Sequence, residues 1–95
     1  MTKNEILKIL NGNKKILQTK FKVKRIGLFG SFAREEQKES SDIDILVETE
    51  PKIEYLFGIE DFLKDRLHRK VDVIRKHRFM KKRLVQSIQK DIIYV

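Results

Sequence analysis

The sequence predicts an α/β (α+β) domain, a small mixed β-sheet flanked by helices. Three observations predict it. Residues 42–45 alternate aspartate with isoleucine at a period of two, and Leu46 and Val47 continue the β-favouring run. Leu56, Ile59, Leu63 and Leu67 recur at helical spacing. Short β-favouring runs at 24–29 and 70–74 alternate with helical stretches along the chain.

The elements follow in order. Thr2 and Glu5 are spaced as a capping box ahead of Ile6, Leu7, Leu10, Ile16 and Leu17, which predicts one helix over 3–19. Asn11-Gly12-Asn13 interrupts that pattern and leaves open a bend or a split into two helices, since Gly costs about 1 kcal/mol there relative to Ala. A strand over 24–29 ends at Gly30. Ser31 to Glu36 reads as a short helix leaving that strand. The polar loop 37–41 suits a flexible connection at the mouth of a site. A strand over 42–48 ends before Pro51, and a helix spans 53–68. Tyr55 and Phe57 lie off its apolar stripe, and His68 sits at its end, where the dipole favours a cation. A strand over 70–74 carries Asp72 between Val71 and Val73. A basic helix over 75–90 follows, with Lys76, His77, Arg78, Lys81, Lys82 and Arg83 near its start. The apolar end Ile92 to Val95 is expected to dock on the core or on another subunit, which leaves a homo- or hetero-oligomer open.

Composition narrows the function classes. The 95 residues are expected to form one domain, 1–95, with no room for a separate substrate domain. No apolar run approaches the length of a membrane span, and no secretory leader is visible at the start. Without cysteine there is no disulfide framework and no thiolate metal site, which favours a cytoplasmic setting. A formal net charge of +8 suits polyanionic partners: nucleoside triphosphates, nucleic acid or an acidic protein surface. No basic stripe interleaved with aromatics is present to stack bases, so nucleic acid is not favoured.

The chemistry concentrates between Arg25 and Glu48. Asp42 and Asp44 stand two apart on a strand and so share one face, while Ile43, Ile45 and Val47 share the other. Two carboxylates held side by side repel, and a hard divalent cation removes the conflict. Asp72, set among β-branched residues, joins them if its strand pairs beside 42–48. Gly30 allows close backbone approach to a ligand, Ser31 adds a hydroxyl, and Arg34 lies one turn further on. A helix starting here would present free N–H groups to a phosphate.

The pattern Gly30-Ser31, ten residues, Asp42-Ile43-Asp44 resembles the signature of the DNA polymerase β-like nucleotidyltransferase superfamily. The wording GLFGSFAR…SDIDILVE resembles the minimal nucleotidyltransferases (MNT) in particular. The one visible departure is Glu35, where that family often has glycine after Ala-Arg.

The resemblance implies a polymerase β-like core that transfers AMP from ATP, as substrate, to a hydroxyl. It implies Asp42, Asp44 and Asp72 as catalytic and metal-holding residues for Mg²⁺, two ions in all, with Gly30, Ser31 and Arg34 at the phosphates. It further implies the antitoxin of a toxin–antitoxin pair of type VII character, modifying a tyrosine of a helical HEPN-type partner. Two other readings stay open: a non-catalytic binding module that acts by occlusion, and a transferase acting on RNA or a small molecule.

Overall fold

The computed structural model describes residues 1–95 throughout. It holds four helices and four strands: α1 (Lys3–Gly12), α2 (Lys14–Phe21), β1 (Arg25–Phe29), β2 (Ile43–Glu48), α3 (Ile53–Leu67), β3 (Val71–Arg75), α4 (Lys82–Asp91) and β4 (Ile93–Tyr94). The sheet order is β3-β2-β1-β4. β1 is antiparallel to β2 and to β4, while β2 and β3 are parallel, so the sheet is mixed as expected.

The alternation in β2 sorts the sheet into two faces. Ile43, Ile45 and Val47 join Ile26, Leu28 and Val71 on one face, all buried. Helices α1, α2 and α3 cover it with Ile6, Leu10, Leu17, Phe21, Ile59, Leu63 and Leu67, in one core of 15 residues. Each such side chain contributes roughly 1.5–3 kcal/mol by leaving water. The other face carries Asp44, Leu46, Asp72 and Gly27. It is covered only in part, by α4 and the closing segment, where Ile88 and Leu46 are buried apart from the main core.

Local chemistry explains most boundaries. The capping box forms: the Glu5 N–H donates to Thr2 Oγ1 at 3.2 Å, and the Thr2 N–H donates to Glu5 Oε1 at 3.3 Å. The helix expected over 3–19 is two helices. Asn13 takes a non-helical conformation (φ −106°, ψ 6°), and its side-chain amide donates to the Ile9 carbonyl at 2.8 Å. That bond lets the chain turn between α1 and α2 at the weak helix formers Gly12-Asn13.

The helix expected over 31–36 is a series of turns. Gly30 (φ 78°) and Glu35 (φ 59°) both lie in the left-handed region, and two such residues so close together leave no room for a helical run. The basic helix expected from 75 begins only at Lys82; β3 runs through Arg75, and Lys76 to Lys81 form the connection. The Lys76 N–H still donates to Val47 O at 2.8 Å, which carries the parallel ladder one residue past the strand and delays the helix. The end of the chain docks on the core's own sheet: β4 pairs with β1, and the Val95 N–H donates to Ile26 O at 3.1 Å. No helix is long and apolar enough to cross a membrane.

Two glycines within helices test this packing in opposite directions. A Cβ on Gly58 would lie 2.4 Å from Phe21 Cε1, in the seam between α2 and α3. Gly58→Ala should therefore lower stability by about 1–3 kcal/mol. A Cβ on Gly12 meets nothing within 4 Å. Gly12→Ala should raise stability by up to about 1 kcal/mol. Denaturant melts of the two variants check both signs.

Candidate active site

Three aspartates meet at one end of the second sheet face. The parallel register pairs Asp44 directly with Asp72, and Ile43 with Val71. Asp42 lies immediately before β2, with its neighbour's N–H, that of Ile43, donating to Lys70 O at 3.0 Å. Phe29, the last residue of β1, is the antiparallel partner of Asp44, so the bend at Gly30 falls beside the carboxylates.

The contact at Gly30 is close. A Cβ there would stand 2.1 Å from Asp44 Oδ2, and the φ of +78° also disfavours any side chain. Only glycine permits both the turn and the approach. The bend is followed by three N–H groups, those of Ser31, Phe32 and Ala33, that make no backbone hydrogen bond. With the short helix gone, no helix dipole favours a phosphate here, but a row of consecutive free N–H groups is itself an anion-binding concavity.

Electrostatics register the convergence. The Asp44 carboxyl is pushed above its ordinary value, first by burial, then by the charges of Asp72 and Asp42; Arg34 acts in the opposite sense. The three carboxylates influence one another without closing into a ligand cluster. The Lys70 ammonium lies 3.8 Å from Asp42 Oδ2. The donor set is all carboxylate oxygen, which suits a hard cation such as Mg²⁺ and not a soft one. Asp72 is the most exposed of the three and Asp44 is half-buried.

Arg34 is engaged elsewhere. Its guanidinium donates to Asp91 Oδ2 at 2.7 Å and to Glu36 Oε2 at 3.2 Å. Both hydrogen bonds hold its charge more firmly, Asp91 the more strongly. Asp91 ends α4, so this bond ties the turn after Gly30 to the closing helix. Sequence reading did not single out Asp91, and 57 positions separate it from Arg34, beyond any local pattern.

Arg69 was missed for the same reason. It bridges the loop before β2: its Nε donates to Ser41 O at 3.0 Å, and its NH2 group donates to Lys38 O at 3.3 Å and to Glu39 O. Its guanidinium also lies 5.1 Å above the buried Phe32 ring. The loop 37–41, expected to be flexible, is thus pinned from the helix–strand junction. The Lys38 N–H adds a bond to Ser41 Oγ at 2.9 Å.

Glu35 departs from the glycine common in MNT proteins, and its conformation gives that glycine a physical reason. Its φ of 59° costs a residue with a side chain about 1 kcal/mol. An exposed ion pair with Lys3, at 3.1 Å, offsets little of this. Glu35→Gly should leave stability unchanged or raise it, whereas Glu35→Val should lower it; thermal melts separate the two.

Asp44 yields a pH prediction. Because its folded value is raised, the folded state binds more protons than the unfolded chain between the ordinary value of 3.8 and the raised one. Stability contributed by the protonated group is complete below 3.8 and is lost as pH rises through the raised value. Above it, ionised Asp44 is a net cost to the fold. Asp44→Asn should therefore raise Tm at neutral pH in the absence of divalent cations, and the advantage should vanish in acid; melts across pH check it.

Comparison with known proteins gives the family. Residues 10–95 match the model of the nucleotidyltransferase domain. A Methanocaldococcus jannaschii protein, MJ0128, provisionally named a protein adenylyltransferase, is 50% identical over 96 residues, covering 99% of this chain and 98% of its own. The protein adenylyltransferase MntA of Thermococcus cleftensis is 37% identical over 97 residues, covering 100% of this chain and 97% of its own. Among solved structures, one assigned as a minimal nucleotidyltransferase superposes with a TM-score of 0.72 at 26% identity, covering 98% of this chain and 95% of that one. A toxin–antitoxin crystal structure with AMP-PNP superposes at 0.67 and 26% identity, covering 99% of this chain and 72% of that one. With the family's domain matched almost end to end and its fold reproduced, this chain belongs to the nucleotidyltransferase domain family and is itself a minimal nucleotidyltransferase.

Proposed function

We propose that the chain transfers AMP from ATP to a hydroxyl on a partner protein, as the antitoxin of a toxin–antitoxin pair, in the cytoplasm. The observation that carries the reading is the β2–β3 register, which sets Asp44 against Asp72 beside the Gly30 bend. The full-length likeness to MntA, named a protein adenylyltransferase, supports AMP as the group transferred. The AMP-PNP complex of a toxin–antitoxin neighbour supports ATP as donor and a toxin as partner. A tyrosine of a helical HEPN-type partner is the acceptor we favour.

In this reading Asp42 and Asp44 would together hold Mg²⁺, two ions with Asp72 completing the set. When bound, the metal neutralises phosphate charge and lowers the pKa of the acceptor hydroxyl. Gly30, Ser31 and the N–H groups that follow hold the β- and γ-phosphates. Arg34, paired with Asp91 and Glu36, would have to exchange one of those carboxylates to meet the same anion. Asp72, the most exposed carboxylate, faces the acceptor and takes its proton. The acceptor oxygen bonds to the α-phosphorus, the bond from that phosphorus to the bridging oxygen breaks, and pyrophosphate leaves with the electron pair.

The test mixes the protein with the product of the adjacent gene, ATP and Mg²⁺, and reads the partner's intact mass. Wild type should add AMP to the partner, and Asp42→Ala should not. Asp72→Asn should slow transfer by roughly 10²–10⁴-fold, the usual worth of a positioned base. No mass gain with wild type would overturn the reading. Full neutralisation of the partner by Asp44→Asn would favour occlusion instead.

A further inference from the structure

The second sheet face holds a cavity as well as the carboxylates. A space of about 250 Å³ lies between the sheet and α4, floored by Leu46, Met80, Val85 and Ile88. Leu46 follows Asp44 by two residues on the same face of β2, so the cavity begins about 7 Å along the strand from the carboxylates. That is also the distance between alternate side chains of an extended peptide.

The rim is cationic. Lys76 and Arg78 supply its charge, with His77 between them, all exposed. No acidic residue occurs between Val73 and Lys90. None of the cations from Lys76 through Arg83 makes an ion pair, although seven ion pairs form elsewhere. Positive charge left unpaired around an apolar hollow complements an acidic segment carrying one large apolar side chain. Tyr94 also lines the space, but the Arg25 guanidinium already covers one face of its ring, 3.4 Å from the centre, and the rest of the floor is aliphatic, which disfavours base stacking in the same place.

We propose that this cavity selects the acceptor: an extended, acidic polypeptide segment whose hydroxyl residue reaches Asp72 while an apolar side chain two positions away fills the space floored by Leu46 and Val85. The proposal rests on the transferase reading above and names its substrate class. The acidic flanks meet Lys76 and Arg78, so the rim governs encounter and the cavity governs register.

The experiment uses the intact protein, ATP, Mg²⁺ and three labelled peptides. One carries Tyr-x-Leu between acidic flanks, one replaces its Leu with Ser, and one replaces the flanks with Lys. Calorimetry with magnesium-ATP is run on every variant. The acidic Tyr-x-Leu peptide should be adenylylated with a KM roughly tenfold below the other two, a gap typical of losing a buried anchor or a complementary charge set. Lys76→Glu with Arg78→Glu, both exposed positions, should remove the preference for acidic flanks. Val85→Phe should raise KM for the Leu peptide alone. ATP affinity should not change in either variant. Equal modification of all three peptides, none modified by an enzyme that binds magnesium-ATP, or displacement of the peptide by an RNA oligomer at lower concentration each overturns the proposal. Failure of wild type to bind magnesium-ATP overturns the transferase reading itself.

Discussion

The parallel pairing of β2 with β3 is the constraint on which the rest depends. It places Asp44 directly across from Asp72, where like charges in a sheet are unfavourable by up to about 1 kcal/mol. On that face of the two strands only Leu46 is buried. The opposite face holds the register against the repulsion. Ile43, Ile45, Val47 and Val71 are all buried under α1, α2 and α3, and a one-residue slip would turn every one of them toward solvent. The apolar burial outweighs the charge repulsion several-fold. The fold can therefore keep acidic side chains together that would otherwise move apart.

The same reasoning explains which parts of the molecule were legible in the sequence. The β2 alternation and the α3 stripe reflect burial on one side, a signal written residue by residue. They gave the mixed sheet, the core, and the face that carries Asp44, with Asp42 just ahead of the strand. The capping box of Thr2 and Glu5 is equally local. The placement of Asp72 needed one further assumption, that its strand lies beside β2, and the register bears that out. The break at Asn11-Gly12-Asn13 was legible as an interruption of the helical pattern, whereas the conformation of Glu35 and the late start of α4 were not, because each depends on a backbone conformation fixed by context. Glu35 is not a residue whose type announces a positive φ. Lys76 extends a ladder whose partner, Val47, lies nearly thirty positions earlier.

The long-range polar contacts were invisible for a related reason. Arg69 on the loop before β2 and Asp91 on Arg34 join segments far apart in the chain. Nothing near them in sequence distinguishes these residues from the many charged residues of solvated faces. Both contacts nonetheless act on the same small region. Arg69 fixes the approach to Asp42, and Asp91 fixes the turn that follows Gly30. The site is thus braced from two sides by residues that do not belong to it.

The closing segment completes this arrangement. Ile92 lies over Gly27, where a Cβ would come within 2.8 Å of it, and Tyr94 stacks under Arg25 with 3.4 Å from the guanidinium carbon to the ring centre. These contacts hold α4 against one edge of the second face and leave the other edge, with Asp44 and Asp72, uncovered. A helix lying across the whole face would bury the carboxylates, at a desolvation cost that three close negative charges could not sustain. A helix absent from it would expose Leu46 and Ile88. The half-covered face is the arrangement compatible with both demands, and it leaves a reactive edge beside an apolar hollow.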